Sequence, residues 1–176
     1  MLGSMPKNAL AADYQQERPE LKGWIVGFVD GEGCFSVSIH KNHVMSLGWQ
    51  VVPEFVVTQG ERSLKALKKL QDFFGCGAIF VNNRYDNHKE AIYRYCVRSI
   101  KDLEKVIIPF FENNLLQTSK LQDFLKFKSV LSLIEDKKHL TLEGLEEIAK
   151  ITQTMNHRKP SLFLESSETI RQTIRH

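Results

Sequence analysis

Two acidic residues, Asp30 and Glu32, stand two positions apart where an apolar stretch of the sequence ends. If that stretch is a helix, both carboxylates lie at its C-terminal end, where the helix dipole is negative and each acid costs about 0.3–1 kcal/mol. A cation held near the helix end would offset this cost. The pair therefore predicts cation binding at the helix end, with a solvated or capping role as the alternative.

The spacing of the histidine and cysteine residues in the sequence predicts neither a metal site nor a disulfide framework. His40 and His43 have no carboxylate or cysteine at ligand spacing, which argues against zinc and favours a contact between His40 and a nucleic-acid base. Cys34, Cys76 and Cys96 are odd in number and far apart. This usage is typical of small core residues in a reducing, intracellular setting.

The helix that must position the two acids is predicted over residues 19–30. Pro19 and Glu20 suit its first turn. Four apolar residues then recur at helical spacing: Leu21, Ile25, Phe28 and Val29. Three glycines recur every four residues on another face: Gly23, Gly27 and Gly31. Each interior glycine costs a helix about 1 kcal/mol relative to alanine. The stripe therefore predicts a second helix packed closely against it.

After Gly33 the hydrophobic period changes from helical to two, which predicts strands. The predicted elements are strands over residues 35–40 and 49–59, a helix over 60–74, strands over 79–84 and 93–98, and helices over 100–111, 117–134 and 141–156. Ser63 is the predicted cap of the second helix, and Pro53 indicates a sheet edge or a bulge. The order αββαββα predicts an α+β fold, in which helices cover one face of a four-stranded antiparallel sheet.

The other face of this sheet is predicted to be open, and its side chains suit nucleic acid. The residues assigned to it are Ser36, Ser38, His40, Asn42, Gln50, Glu54, Thr58, Asn82, Arg84, Arg94 and Arg98. Such donors and acceptors read base edges and bind phosphates. Residues 34–98 also hold nine basic against five acidic side chains, which favours a polyanionic partner. An ordinary solvated sheet face would look similar and is the alternative.

The composition is that of one folded domain. Of 176 residues, 42% are hydrophobic and 26% are charged, which argues against disorder and coiled coil. No apolar run is long enough for a membrane span, and the N-terminus does not resemble a secretory signal, so no membrane partner is expected. Residues 1–12 are predicted to be a tail that begins with a remnant of cloning, residues 13–160 the domain, and residues 161–176 a second tail with helical spacing at Ile170 and Ile174.

The segment that carries the two acids matches a known signature. It resembles the LAGLIDADG homing endonuclease family, whose signature helix runs into a Gly-acid-Gly and then a DNA-reading strand. The matching residues are Gly27, Asp30, Gly31, Glu32 and Gly33. Later parts of the chain also look like blocks of this family: residues 58–62, 109–110, 120–124 and 140–156.

The resemblance implies that two signature helices pack glycine to glycine and that each delivers one acid to a shared site beneath the DNA minor groove. This sequence holds a single copy of the motif, so a homodimer is implied, with Gly23, Gly27 and Gly31 at its interface. Glu32 and the Gly31 carbonyl are the implied metal ligands. Oxygen ligands favour Mg²⁺, with Mn²⁺ or Ca²⁺ as other occupants. Asp30 is expected to stabilise the helix end or the partner helix.

Three further residues take implied roles at the scissile phosphate. Gln59 matches a residue that helps to order the attacking water, Lys120 is the nearest match to a basic residue beside the phosphate, and Arg62 faces phosphates. Thr118 departs from one homodimeric pattern that has a lysine there, so the lysine assignment stays open. The implied activity is hydrolysis of both strands of double-stranded DNA, one phosphodiester per subunit, at a long near-palindromic site.

Other functions are compatible with the same fold. An RNA maturase, or a DNA-binding regulator that does not cleave, would keep the scaffold, but the presence of Glu32 favours cleavage. A structural module whose acids merely cap a helix is the alternative from another class. The resemblance further implies a gene within an intron and a location in a bacterial cytoplasm, a mitochondrion or a chloroplast.

Overall fold

The computed structural model describes residues 7–82, 91–156 and 161–165, with side chains from residue 19 onward. The helices and strands are α1 (Lys7–Glu32), β1 (Gly33–Lys41), β2 (Trp49–Gly60), α2 (Leu64–Phe74), β3 (Ala78–Asn82), β4 (Ile92–Val97), α3 (Ile100–Asp102), α4 (Ile108–Asn113), α5 (Lys120–Glu135) and α6 (Leu142–Gln153). A π-helical turn joins α3 to α4, and 3-10 turns precede α2 and α6. None of the helices in the described ranges is long and apolar enough to cross a membrane.

The four strands form one antiparallel sheet in the order β1-β2-β4-β3. Strand β1 pairs with β2 from Gly33 opposite Val57 to Lys41 opposite Trp49. Directly paired residues direct their side chains to the same face, so this register decides which residues share the face away from the helices. The predicted α+β class and the four-stranded antiparallel sheet are confirmed.

The helices pack on one face of the sheet through an aromatic core. Its fully buried residues include Ile25, Val29, Phe35, Phe55, Val57, Tyr95, Phe111 and Phe127. The Phe35 ring stacks on Phe55 at 5.1 Å and meets Phe111 edge-on at 5.4 Å. Because Ile25 and Val29 belong to this core, α1 is fixed against β1 and β2, and the position of its C-terminal acids is fixed with it.

Pro53 lies in an interior strand but has only one neighbour there. It stands opposite Val37 of β1, whereas the pairing of β2 with β4 covers only Phe55 to Gly60. The sheet edge that Pro53 predicted is therefore local to this part of β2. A proline is tolerated at such a position because its missing N–H leaves no ladder bond unmade on the open side.

The starts of α1 and α2 differ most clearly from the predictions. Helix α1 begins at Lys7, so part of the predicted N-terminal tail is helical and Pro19 lies inside the helix. Helix α2 begins at Leu64, and Ser63 holds the cap position without a side-chain capping bond to any described residue. Gly75 ends α2 in the left-handed conformation, with φ of 63°, which glycine adopts more easily than other residues.

The start of the predicted C-terminal tail packs on the domain. Residues 162–165 form a helical turn, and Phe163 is only 2% exposed. Its ring meets Trp49 edge-on at 5.3 Å. Ile170 and Ile174 lie outside the described residues, so the rest of the predicted tail helix stays a prediction.

Candidate functional site

Helix α1 passes directly into β1 at a crossing that only glycine can make. A Cβ atom at Gly33 would lie 2.6 Å from Val29 Cγ1 and 2.8 Å from the Val29 carbonyl oxygen. Helix and strand therefore meet without a connecting loop. This close junction fixes where Asp30 and Glu32 leave the helix.

The Asp30 carboxylate binds the segment that leads into α5. It accepts hydrogen bonds from the backbone N–H of Gln117 at 2.6 Å and of Thr118 at 3.2 Å, and from the Thr118 hydroxyl at 2.7 Å. Burial alone raises the pKa of Asp30, but these bonds and the nearby Lys120 ammonium outweigh it and hold that pKa below its usual value. Asp30 thus joins the end of α1 to the start of α5, which is a structural role.

Glu32, two residues further on, has a different environment. Its side chain is exposed. No hydrogen bond or ion pair within the described part of the chain uses its carboxylate. The second acid of the pair is therefore available to a ligand from outside the chain.

The ammonium of Lys120 lies at the end of the helix that carries the two acids. Its Nζ donates to the carbonyl oxygens of Gly33 and, at 3.4 Å, of Gly31. Burial lowers the pKa of Lys120, against the opposing effects of Cys34, Asp30 and Glu32. A partly buried ammonium beside an exposed carboxylate suits the binding of a phosphate.

The contacts of Thr118 explain why this position, where one homodimeric pattern has a lysine, can hold a threonine here. Its hydroxyl is engaged with Asp30 at the start of α5, while Lys120, two residues later, reaches the end of α1. Position 118 is thus part of the junction between the two helices, and the lysine at the site is Lys120. The catalytic role of Lys120 stays a prediction.

Gln59 lies at the same end of the sheet as Glu32. Gly33 pairs with Val57, so Gln59 stands two residues beyond that pair on the neighbouring strand. Its side chain shares a face with buried Val57, which is the face that carries α1. It is half-buried, and no described residue is a hydrogen-bond partner of its amide. The register thus brings Gln59 to the region of Glu32, and its predicted role is untested.

The glycine stripe of α1 is uncovered. Gly23, Gly27 and Gly31 are exposed, and apart from the adjoining backbone of α1, a Cβ atom on any of them would find no described atom within 4 Å. Beside the stripe, Val26 and half-exposed Leu115 line a groove. Nothing in the described chain requires these three glycines, in contrast to Gly33.

The donors at the helix end are too few to hold a metal ion alone. No group of three His, Cys, Asp or Glu side chains that could bind a metal occurs among the described residues. Glu32 offers a carboxylate and Gly31 a backbone carbonyl, both oxygen donors of the kind that Mg²⁺ and Ca²⁺ prefer. Further ligands would have to come from water, from a bound phosphate or from a second copy of the chain.

The register brings most of the predicted open-face residues together. The pairs on this face include Ser36 with Glu54, Ser38 with Val52, His40 with Gln50, Thr58 with Arg94, and Phe80 with Arg94. Asn42 follows β1 and donates to the Gln50 side chain at 2.8 Å. Asn82 ends β3 opposite Ile92, and exposed Arg62 follows β2. Arg84 lies outside the described residues.

A triad of charged residues occupies the middle of this face. Glu54 is 8% exposed, and its two carboxylate oxygens each accept a bond from an arginine: Oε1 from Arg94 Nη2 at 2.7 Å and Oε2 from Arg98 Nε. The arginine side chains stay 32% and 57% exposed. Glu54 was expected to contact a partner directly, and the structure instead places it beneath two residues of the same predicted surface.

Phe80 was not among the predicted face residues. Its side chain is 52% exposed on the same face as Arg94 and Thr58. Because side chains alternate along a strand, Phe80 falls on the same side of β3 as Asn82, but only polar residues were assigned to this face. An exposed aromatic beside arginines adds apolar contact area to a surface otherwise made of donors and acceptors.

The comparisons with known proteins agree on one family. The family model described as LAGLIDADG endonuclease matches residues 25–131. A probable intron-encoded endonuclease 3 of Neurospora crassa is 37% identical over 131 residues, which cover 74% of this chain and 24% of that protein. The chain spans about a quarter to a third of the length of the first curated relatives it matches.

Solved structures give the same result. The crystal structure of a homing endonuclease, I-TnaI, matches with a TM-score of 0.74 and 40% identity, over 85% of this chain and 97% of that chain. I-SmaMI bound to uncleaved DNA target in the presence of calcium ions matches with a TM-score of 0.73 and 38% identity, over 82% of this chain and 47% of that chain.

Proposed function

The chain belongs to the LAGLIDADG homing endonuclease family, and we propose that it is a homodimeric, metal-dependent, site-specific DNA endonuclease. The observation that carries the proposal is the position of exposed Glu32 directly beside the uncovered glycine stripe. Each feature alone is incomplete: a lone carboxylate does not make a metal site, and a row of interior glycines weakens a helix. A second copy of α1 packed on the stripe would complete both.

Dimer formation is supported by the single signature helix in this sequence and by the matches to solved structures. The match covers 97% of the I-TnaI chain but only 47% of the I-SmaMI chain. A two-fold axis along paired glycine stripes would bring the two Glu32 carboxylates together. Like charges placed so closely repel unless a cation lies between them. Dimerisation and metal binding are therefore coupled in this proposal.

A magnesium ion fits the donors present, because Glu32 and the Gly31 carbonyl supply only oxygen atoms. When bound, it would supply Lewis-acid polarisation of the scissile phosphate and help to ionise an attacking water. Mn²⁺ and Ca²⁺ suit the same donors as other occupants.

The residues of the chain perform the remaining tasks. Lys120 uses two of its three ammonium donors on the Gly31 and Gly33 carbonyls, which leaves one for a phosphate oxygen. The Gln59 amide orients the water on the face that carries α1. Attack of that water on phosphorus breaks the bond to the 3′-oxygen, with one phosphodiester hydrolysed per subunit and no covalent intermediate. Arg62, which follows β2, adds a charge for phosphates.

The open sheet face is the DNA-reading surface in this proposal. Two copies related by a two-fold axis read a long, near-palindromic site, because the symmetry of the protein is mirrored in its target. A calcium-containing complex of I-SmaMI with uncleaved DNA supports DNA as the partner. The names of several relatives include intron-encoded endonucleases, which supports a gene within an intron and action in the compartment of that DNA, an organelle or a bacterium.

Selection for cleavage tests the proposal directly. A plasmid library with a randomised insert is incubated with the protein and Mg²⁺, and the ends of the linear products are sequenced. We expect linear products that share one near-palindromic sequence, with none in EDTA and little cleavage in Ca²⁺. A protein that enriches bound DNA but leaves it intact in Mg²⁺ would be a regulator, and enrichment of RNA alone would indicate a maturase. Either result contradicts the nuclease.

A further inference from the structure

The triad of Glu54, Arg94 and Arg98 carries an inference that rests on the proposed DNA-reading role of the sheet face. We infer that Glu54 is a positioning residue, which holds Arg98 in the orientation that reads a guanine in the DNA target. The inference concerns base preference at one position of each half-site. It assigns to Glu54 an indirect role, through an arginine, in place of a DNA contact of its own.

Glu54 is almost fully buried. Only 8% of the residue is exposed, close to the 7% of Val56 on the same face, whereas Gln50 and Thr58 further along the strand are more accessible. A buried carboxylate is stable only when it is paired, and both of its oxygens are occupied by arginine donors. Removal of Glu54 would therefore release both arginines at once.

The triad leaves some of the arginine N–H donors free. Arg98 binds Glu54 through Nε, so both of its Nη groups remain for another partner. This terminal fork is the part of arginine that pairs with guanine O6 and N7 in the major groove. Arg94 binds Glu54 through Nη2, which takes one branch of its own fork. Arg98 is also the more exposed of the two arginines, at 57% against 32%.

The strand register fixes the location of the triad on the sheet. Extension of the β2–β4 register by one residue from Phe55 opposite Val97 puts Arg98 opposite Glu54, and Ser36 of β1 lies opposite Glu54 on the other side. Ser36 is four residues from Glu32, which corresponds to roughly 13 Å along an extended chain. The guanine is therefore expected in the inner part of each half-site, on the side of the metal site.

Removal of the Glu54 charge should change affinity for random DNA and base preference in different ways. Glu54→Gln removes a negative charge from a DNA-facing surface, so affinity for random DNA should stay equal or rise. The preference for guanine at one position should fall because Arg98 is no longer held. A variant that was merely unfolded would lose both kinds of binding together.

The test measures base preference at each position of the target. Wild type, Glu54→Gln and Arg98→Ala each select from a randomised double-stranded DNA library, with Ca²⁺ in place of Mg²⁺. Glu112→Gln is the matched control, because Glu112 pairs with Lys128 on the helical side. We expect Glu54→Gln and Arg98→Ala to lose roughly 5- to 150-fold of guanine preference at the same symmetric positions, the range of a bidentate contact. Glu112→Gln should keep the wild-type profile.

Several outcomes overturn the inference. A wild-type profile for Glu54→Gln, losses at different positions in the two variants, or an unchanged profile for Arg98→Ala would each do so while the proposed function stands. A wild-type protein that enriches no sequence overturns the proposed function and the inference with it. If Glu54→Gln does not fold, Arg98→Lys keeps the charge but loses the fork, and it should lose the same guanine preference. An unchanged profile for Arg98→Lys would overturn the inference.

Discussion

The C-terminal part of α1, from Gly23 onward, has a closed side and an open side. The closed side consists of Asp30, Gly33 and Lys120, whose polar atoms bind the start of α5 and the carbonyls of the helix end, and whose glycine crosses Val29 closely. The open side consists of Gly23, Gly27, Gly31 and Glu32, which are exposed. A Cβ atom on any of these glycines would meet no described residue outside its own stretch of helix, and no described residue bonds to the Glu32 carboxylate.

The difference teaches how one short motif serves two purposes. Groups on the closed side are satisfied within one chain, so their replacement should affect the stability of the fold. Residues on the open side contribute little that a single chain can use, and three glycines in a helix destabilise it. Their contribution is expected in an assembly with a second copy, a metal ion and DNA.

Gly27→Leu should have the largest effect, because it alters the centre of the open side. A side chain there meets open space in one chain, and helix propensity improves by about 1 kcal/mol, so the subunit should still fold. Two such helices can no longer approach closely, and dimerisation, specific binding and cleavage should all be lost. Sedimentation and melting curves would check this.

Gly33→Ala is the comparison variant on the closed side, and it should lower the melting temperature. A Gly27→Leu dimer with normal binding would contradict the assigned interface.

Lys120→Met should have the next largest effect, since Lys120 belongs to the closed side but its ammonium also interacts electrostatically with Glu32. Loss of the ammonium should reduce the cleavage rate by about 100-fold, as for loss of one transition-state donor. Stability should fall by only about 0.3–1 kcal/mol, the usual value of a cation at a helix C-terminus. Lys126→Met is the control, because Lys126 also lies on α5 and donates to the Thr154 carbonyl at 2.8 Å. Equal cleavage rates in both variants would remove Lys120 from the site.

Asp30→Asn should affect stability more than chemistry. An amide cannot accept all three bonds that the carboxylate accepts from Gln117 and Thr118, so the free energy of unfolding should fall by about 1–2 kcal/mol. Chemical denaturation would measure this change. Asp136→Asn, at an exposed position that follows α5, should stay within about 0.5 kcal/mol of wild type. If Asp30→Asn were as stable as wild type yet inactive, Asp30 would belong to the open side.

The pH dependence of stability should give the smallest effect. The pKa of Asp30 is lowered in the folded chain, so its stabilising contribution is complete above the unfolded value near 3.8 and is lost as pH falls through the lower folded value. The gap between wild type and Asp30→Asn should therefore be constant above about pH 5 and shrink at more acid pH. Denaturation at several pH values would measure it, and a gap that widens in acid would have the wrong sign.

Periodic spacing of side chains in the sequence predicted the strands of the fold. Alternation in residues 35–40 and 49–59 predicted β1 and β2. The glycine stripe is uncovered in the structure, and the partner helix predicted for it stays a prediction. The start of α1 was wrong because Pro19 resembles a first-turn residue, although the helix continues through it. A proline inside a helix and one at its start look alike in sequence.

Contacts between distant residues were beyond the sequence patterns. Asp30 binds residues 117 and 118, and Glu54 binds Arg94 and Arg98, and these pairings depend on strand register and helix packing. The alternation of β2 correctly placed Glu54 on the open face. It could not predict burial there, because burial follows from long side chains of another strand that lie over it.

The most direct test of the account replaces the acid of the open side and leaves its size unchanged. Glu32→Gln, with Glu20→Gln on the same helix as the control, is compared with wild type for cleavage and binding of the selected site. We expect cleavage to fall by about 1000-fold or more as the carboxylate ligand is lost. Binding in Ca²⁺-free buffer should stay equal or become tighter, because neutralising two facing carboxylates removes their repulsion. Cleavage at the normal rate by Glu32→Gln would contradict the claim that the open side of α1 holds the metal.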